Sequence, residues 1–268
     1  MSLFLPLKYK IQNFSTYLIT WLFPRGKGKL FWKVYVYMRW VDDIVDNPKI
    51  KMRFKKIFLE EQNRFLKRCY LNKINKDTIK YEERYIYEII TYYKKKKHSK
   101  EMKKHIFNMM WTFEYDLRKS NSNIKLKEFM KYSKYIGGAY AFFFTILLNT
   151  EKFKNKHDLD FRKYFRKNSD NVAKDFAHYA HIIHTIRDYE KDKKEGQFVL
   201  PVEFNTSKQF FNYLIKYTRP KIYRFEKVIK KIFYKKKRFF LFERICYIFF
   251  RRYHFDTLLR KMKKKDLI

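Results

Sequence analysis

Glycine and proline are scarce in this chain, five of each among 268 residues. Turn-rich β architectures draw heavily on both, so their scarcity argues against a sandwich or barrel. Cysteine is scarcer still, with only Cys69 and Cys246. The pair fits no metal-ligand spacing and is too small to staple a scaffold, so both are expected to be buried thiols of a reducing compartment. No stretch is long enough to cross a bilayer: the longest uncharged, mostly apolar run, Ile136 to Leu148, falls well short of the ~20 residues a spanning helix needs. Met1 to Leu7 is short, lacks a basic leader and is interrupted by Pro6, so no cleavable signal peptide is expected. Nor does the chain show an internal repeat, a linker, or a disordered tail beyond Lys263 to Ile268.

Acidic residues are also in short supply. There are 27 Asp and Glu against 64 Lys and Arg, a formal net charge of +37. One reading is an anionic partner, such as nucleic acid, an anionic membrane or a phosphorylated substrate. The other is base composition, because Lys, Asn, Ile, Phe and Tyr are all abundant and AT-rich codons encode all of them. Charge alone does not choose between these. A nucleic-acid partner is not expected, since no nucleic-acid motif accompanies the charge.

Bulk for a core is plentiful: 46% of residues are hydrophobic, with 29 Phe and 23 Tyr. The length suits one large domain or two small ones; helical spacing runs through most of it, and a single all-α domain over residues 1–268 is expected. Helices are predicted at Asn13–Phe23, Lys29–Val45, Lys51–Asn72, Tyr81–Lys94, Glu101–Leu117, Leu126–Leu148 and Ser169–Lys193. Ser207–Tyr217, Pro220–Tyr234 and Arg238–Arg260 complete the set. In Lys51–Asn72 the residues Phe54, Ile57, Phe58, Phe65 and Cys69 are spaced as one apolar face. Ser120-Asn121-Ser122-Asn123 is a loop suited to capping the helix after it.

The few acids cluster. In Arg39-Trp40-Val41-Asp42-Asp43-Ile44-Val45-Asp46, helical periodicity puts Asp42 and Asp46 one turn apart on one face, with Arg39 one turn before Asp43. Trp32 to Met38, upstream, is apolar or aromatic apart from Lys33. Carboxylates beside a core are costly unless a cation or donor meets them. A hard divalent ion is one solution; a solvated helix end stopped by Asn47-Pro48 is the other. A second stretch, Ile186-Arg187-Asp188-Tyr189-Glu190-Lys191-Asp192, repeats the pairing with Asp188 and Asp192. Two such pairs on separate helices would be able to face each other and hold metal between them. Gly137-Gly138 lies inside a predicted helix, where each Gly costs about 1 kcal/mol against Ala, so a ligand contact or close helix packing is expected there.

Taken in order, these pieces resemble the squalene/phytoene synthase family of head-to-head prenyl synthases, over about Asn13 to Pro201. Ser15, followed by Leu22-Phe23-Pro24, is similar to the family's Ser-Phe…Leu-Pro segment, with Thr16 replacing the Phe. Tyr35…Arg39…Asp42-Asp43…Asp46 matches its first aspartate-rich motif, and Glu114-Tyr115-Asp116-Leu117 resembles its Met-Asp-Leu segment. Tyr132-Ser133-Lys134-Tyr135-Ile136-Gly137-Gly138-Ala139 is similar to the Tyr-Cys-Tyr…Val-Ala-Gly-Thr segment lining the prenyl tunnel. Arg187-Asp188…Asp192…Gly196…Leu200-Pro201 resembles the second motif.

The resemblance implies an all-α isoprenoid-synthase helical bundle around a deep central cavity. It implies Mg²⁺-dependent condensation of two prenyl diphosphates, farnesyl or geranylgeranyl, through a cyclopropyl intermediate. By the same resemblance Asp42, Asp46, Asp188 and Asp192 hold Mg²⁺ and carry catalysis with Tyr35 and Arg39. Ser15, Tyr35, Arg39 and Arg187 contact or neighbour diphosphate, and Tyr132 and Gly138 shape the tunnel. Some positions depart. His181 and His184 stand where the family has Gln and a metal-ligating Asn, Lys191 replaces a Glu, and Gln197 and Val199 replace an Arg and a Tyr. His184 is expected either to take the Asn's place on the metal as a neutral imidazole or to hydrogen-bond Asp188. These changes leave an NADPH-dependent reductive step open, and with it an alternative: a catalytically impaired member serving as an assembly or scaffold protein, as complex I assembly relatives do. The expected location is cytoplasmic and peripherally membrane-associated, or mitochondrial in a eukaryote. The basic, aromatic stretch Lys230 to Phe240 suits an anionic bilayer interface, a solvated basic face being the plainer reading.

Overall fold

The computed structural model describes residues 27–95, 99–119, 123–136, 182, 185–186, 188–194, 198–234, 260 and 263, with backbone alone for 27–29 and 221–234. Every regular element among them is helical, and no strand occurs among the described residues: the protein is all-α. Two compact units divide the chain, Met1–Leu117 with Phe142–Glu151 and Arg118–Ala141 with Lys152–Ile268.

In the first unit, α1 (Lys27–Val45) is followed by α2 (Met52–Tyr70), α3 (Tyr81–Tyr93) and α4 (Ser99–Lys119). Helix α1 buries Phe31, Trp32, Val34, Val36, Tyr37, Met38, Val41 and Val45. A helix apolar on nearly every side is a core helix, and α1 packs on both α3 and α2. Helices α3 and α4 bury single stripes, Tyr85, Ile86, Ile89, Ile90 and Tyr93 in one, Met102, Ile106, Met109, Met110, Phe113 and Leu117 in the other.

A buried polar chain fixes how the first three helices meet. The Tyr37 hydroxyl donates to Gln62 Oε1 at 3.1 Å, and Gln62 Nε2 donates to Glu83 Oε1 at 2.8 Å. The other Glu83 oxygen accepts from the Lys80 backbone N–H at 3.0 Å, satisfying an orphan donor at the start of α3. Leaving any member of this chain without its partner would cost about 1–3 kcal/mol. Burial first, then Glu83 and Cys69, hold the Tyr37 phenol well above its ordinary range. Burial, then Glu83, push the Cys69 thiol up to about 12, so it stays protonated, in keeping with an inert buried thiol. Cys246 lies outside the described residues.

The same chain explains where the periodicity of α2 misleads. Phe54 and Ile57, expected inside, are 60% and 42% exposed. The buried stripe is Lys55, Leu59, Gln62, Phe65, Leu66 and Cys69. Phe65 and Cys69 are buried as expected, but counting apolar residues alone assigns Lys55 and Gln62 to solvent and so misplaces the start of the helix. Gln62 is held inside by its bonds to Tyr37 and Glu83.

In the second unit, helix α5 (126–136) and helix α6 (188–194) accompany α7 (Ser207–Tyr234). Phe210, Phe211, Leu214 and Thr218 are the buried face of α7. Phe129 of α5 meets Phe210 edge-on at 5.0 Å, and Tyr189 of α6 meets Phe211 at 5.0 Å. The N-terminus of α5 is capped from far along the chain, its Leu126 N–H donating to the Glu203 carboxylate at 2.8 Å. A carboxylate suits that end of a helix dipole. The loop expected to cap α5 lies outside the described residues save Asn123. Two helices were expected around Pro220, yet α7 runs through it. Proline removes one backbone donor and crowds the carbonyl four residues earlier, but its fixed φ is helical. Among the described residues no helix is long and apolar enough to cross a membrane.

Candidate active site

The first aspartate cluster closes α1, which stops at Val45. The Asp46 N–H still reaches the Asp42 carbonyl at 2.8 Å, so Asp42 and Asp46 remain one helical turn apart. Asn47 then ends the helix: its side-chain oxygen accepts from the Lys49 N–H at 2.9 Å, and its carbonyl accepts from Ile50. The T-shaped contact of Trp40 with Phe58 at 5.1 Å holds this end of α1 against α2.

Arg39 grips two of the acids. Its Nη1 lies 3.0 Å from Asp42 Oδ2 and its Nε 2.9 Å from Asp43 Oδ1. Desolvation works against the guanidinium charge, but Asp42 and Asp43 outweigh it, with Tyr35 adding to them, and the Arg39 pKa is raised. Tyr35 sits one turn before Arg39, half-buried, its ring stacked on Trp32 at 5.2 Å.

Asp42 is the strained member. Its side chain is 29% exposed, yet desolvation, then repulsion by Asp46, push its carboxyl up to about 7 against the pull of Arg39. Asp116, in the last turns of α4, and Asp43 push in the same direction. Three other carboxylates thus repel the Asp42 carboxylate, and the pull of Arg39 does not offset them together with burial. Asp116 is a contributor that the spacing of the Asp motif could not reveal; the one signal for it was the likeness of Glu114-Tyr115-Asp116-Leu117 to a family segment.

Asp188 and Asp192 belong to the second unit and are described within it. Both are half-buried and one turn apart on α6. Tyr189 between them is buried, its hydroxyl 3.0 Å from Ser207 Oγ and its ring edge-on to Phe198 at 4.8 Å. The Phe198 N–H returns to the Asp192 carbonyl at 3.0 Å. With Tyr189 so anchored, Asp188 and Asp192 are set together on the face beside it. Lys191 is exposed. Tyr132 is buried on α5, with Lys119 Nζ over its ring at 5.9 Å. Ser15, Gly138, His181, His184, Arg187 and Gln197 lie outside the described residues.

Among the described residues no three His, Cys, Asp or Glu side chains converge as a cage for a metal ion. Mg²⁺ seldom takes an all-protein cage, preferring one or two carboxylates plus substrate phosphates and water. Asp42 and Asp46, hard oxygen donors one turn apart that repel each other, fit that habit.

Compared with models of known families, residues 11–210 match squalene/phytoene synthase. No curated protein and no solved structure matches the chain.

Proposed function

The chain belongs to the squalene/phytoene synthase family, and from that premise we propose that it joins two prenyl diphosphates head to head. The substrate is farnesyl or geranylgeranyl diphosphate, and the product is of the squalene, phytoene or cyclopropyl type. The observation that carries this reading is the Asp42–Asp46 pair one helical turn apart, where burial and then repulsion by Asp46 push the Asp42 carboxyl up to about 7. A site so arranged gains most from a cation that arrives with an anionic substrate.

In this reading Asp42 and Asp46 hold Mg²⁺ from one motif, and Asp188, Asp192 and His184 hold it from the other. Bound there, Mg²⁺ would offset the charge that develops on the departing diphosphate. Arg39 keeps its charge at any working pH and offers a fixed fork of donors to diphosphate oxygens, with Ser15, Tyr35 and Arg187 beside it. Tyr132 and Gly138 line the path of the prenyl chain, where a dry wall protects the allylic cation from water. The enzyme works in the cytoplasm as a peripheral membrane protein, with the C-terminal basic stretch contributing to membrane contact.

A second reading, a member that assembles other proteins rather than turning over substrate, draws on Lys191. Its exposed cation stands where the family carries an acid. Release of inorganic pyrophosphate separates the two. The purified chain should release it from farnesyl or geranylgeranyl diphosphate only when Mg²⁺ is present, with NADPH as a separate arm for a reductive step. A folded protein that releases none under any arm would favour the scaffold.

A further inference from the structure

Helix α2 turns apolar side chains to solvent in its first two turns. Phe54 is 60% exposed, Ile57 42% and Met52 36%. At 100° per residue, Ile57 points nearly opposite to the buried stripe centred on Lys55, Leu59, Gln62 and Leu66. Phe54 lies one turn before it, about 60° away, whereas Met52 falls on the far side of the helix, in line with Leu59. Lys49, Lys51, Arg53 and Lys56 are exposed around them. No Asp or Glu occurs between Asp46 and Glu60. A single exposed apolar residue is ordinary, but here Phe54 and Ile57 stand together on one side at the start of the helix, within a run of cations that no acid interrupts.

We propose that the α1–α2 corner and the first two turns of α2 dock on an anionic lipid surface. Phe54 and Ile57 enter the boundary between headgroups and acyl chains, and Lys49, Lys51, Arg53 and Lys56 meet lipid phosphates. Charge complementarity selects this occupant: basic side chains flanking apolar tips match anionic headgroups laid over hydrocarbon. A nucleic acid would satisfy the cations but leave the aliphatic and aromatic tips without a counterpart. The corner begins at Asn47, next to Asp46, so docking brings the acidic end of α1 close to the lipid surface. The proposal does not rest on prenyl condensation, and vesicle binding is measured without substrate, so either can fail alone.

The test is cosedimentation of the full-length protein with phosphatidylcholine vesicles carrying rising fractions of phosphatidylglycerol, at near-physiological salt. Binding should rise with the anionic fraction and fall with salt. Phe54→Ser/Ile57→Ser should weaken it about tenfold or more, and so should Lys51→Glu/Arg53→Glu/Lys56→Glu. All of these positions are exposed, so circular dichroism should be unchanged. Wild-type binding by the Phe54→Ser/Ile57→Ser variant would place the contact elsewhere, as in the basic C-terminal stretch, and overturn the proposal. Equal binding of the wild type to neutral and anionic vesicles would overturn it too. If the same variant instead abolished self-association in sedimentation velocity while binding vesicles normally, the face would be a contact between copies, and the lipid proposal would again be wrong.

Discussion

Replacing Asp42 or Asp188 with Asn is expected to lower turnover by about a hundred- to a thousandfold, the scale of losing one preorganised group that stabilises developing charge. The helical fold should survive both changes. Each removes one anionic oxygen from a motif proposed to hold Mg²⁺ and diphosphate together, so metal affinity and leaving-group stabilisation fall at once. The loss should be steepest at limiting Mg²⁺ and partly recovered when the ion is raised. The check is kcat/KM against Mg²⁺ concentration for each variant, with circular dichroism as the control. Near-wild-type turnover in both at limiting Mg²⁺ would dismiss the two-motif metal site.

The second large effect runs in the opposite direction. In the metal-free protein the Asp42 carboxyl is pushed up to about 7 from an ordinary 3.8, by burial and then by Asp46. A group whose pKa is raised by folding stabilises the fold while protonated and stops doing so once it ionises. Its contribution is therefore full below pH 4 and fades as pH climbs through 7, with a loss of up to about 4 kcal/mol. Asp42→Asn cannot ionise. In chelator, the variant should match the wild type near pH 4, pull ahead between pH 4 and 7, and hold its lead above that. Adding Mg²⁺ should narrow the gap by binding the ionised wild-type carboxylate alone. Denaturant unfolding across that pH range measures it. A variant equally or less stable at pH 8 would mean that Asp42 is not under the repulsion described. The first two expectations together describe a residue kept for function at the expense of stability.

Much of this was legible in the chain. The i, i+4 spacing of Asp42 with Asp46 and of Asp188 with Asp192 survives intact, and α1, α3 and α4 begin and end within two residues of their expected limits. Helices α3 and α4 carry their apolar residues in simple stripes, which periodicity reads well, and α1 is marked by its nearly unbroken apolar run. Reading failed where an inward position is polar. Gln62 belongs to the core because Tyr37 and Glu83 need it, and missing that also hid the outward turn of Phe54 and Ile57. Long-range partners were equally beyond sequence reading. The cap that Glu203 gives α5 and the repulsion between Asp116 and Asp42 join residues far apart in the chain, and neither leaves a local pattern. Pro220 shows the converse, a strong local signal that the folded helix overrides.

The most direct test of prenyl condensation is the identity of the product. The purified full-length chain is incubated with farnesyl or geranylgeranyl diphosphate, Mg²⁺ and NADPH, and the lipids are extracted and analysed by mass spectrometry. The expected result is a Mg²⁺-dependent lipid whose skeleton unites two prenyl chains. It is a cyclopropyl diphosphate if the reaction stops there, or a hydrocarbon if the second diphosphate leaves and the cation takes hydride from NADPH or loses a proton without it. Recovery of unchanged substrate, or of the simple prenyl alcohol alone, at every Mg²⁺ concentration would contradict it.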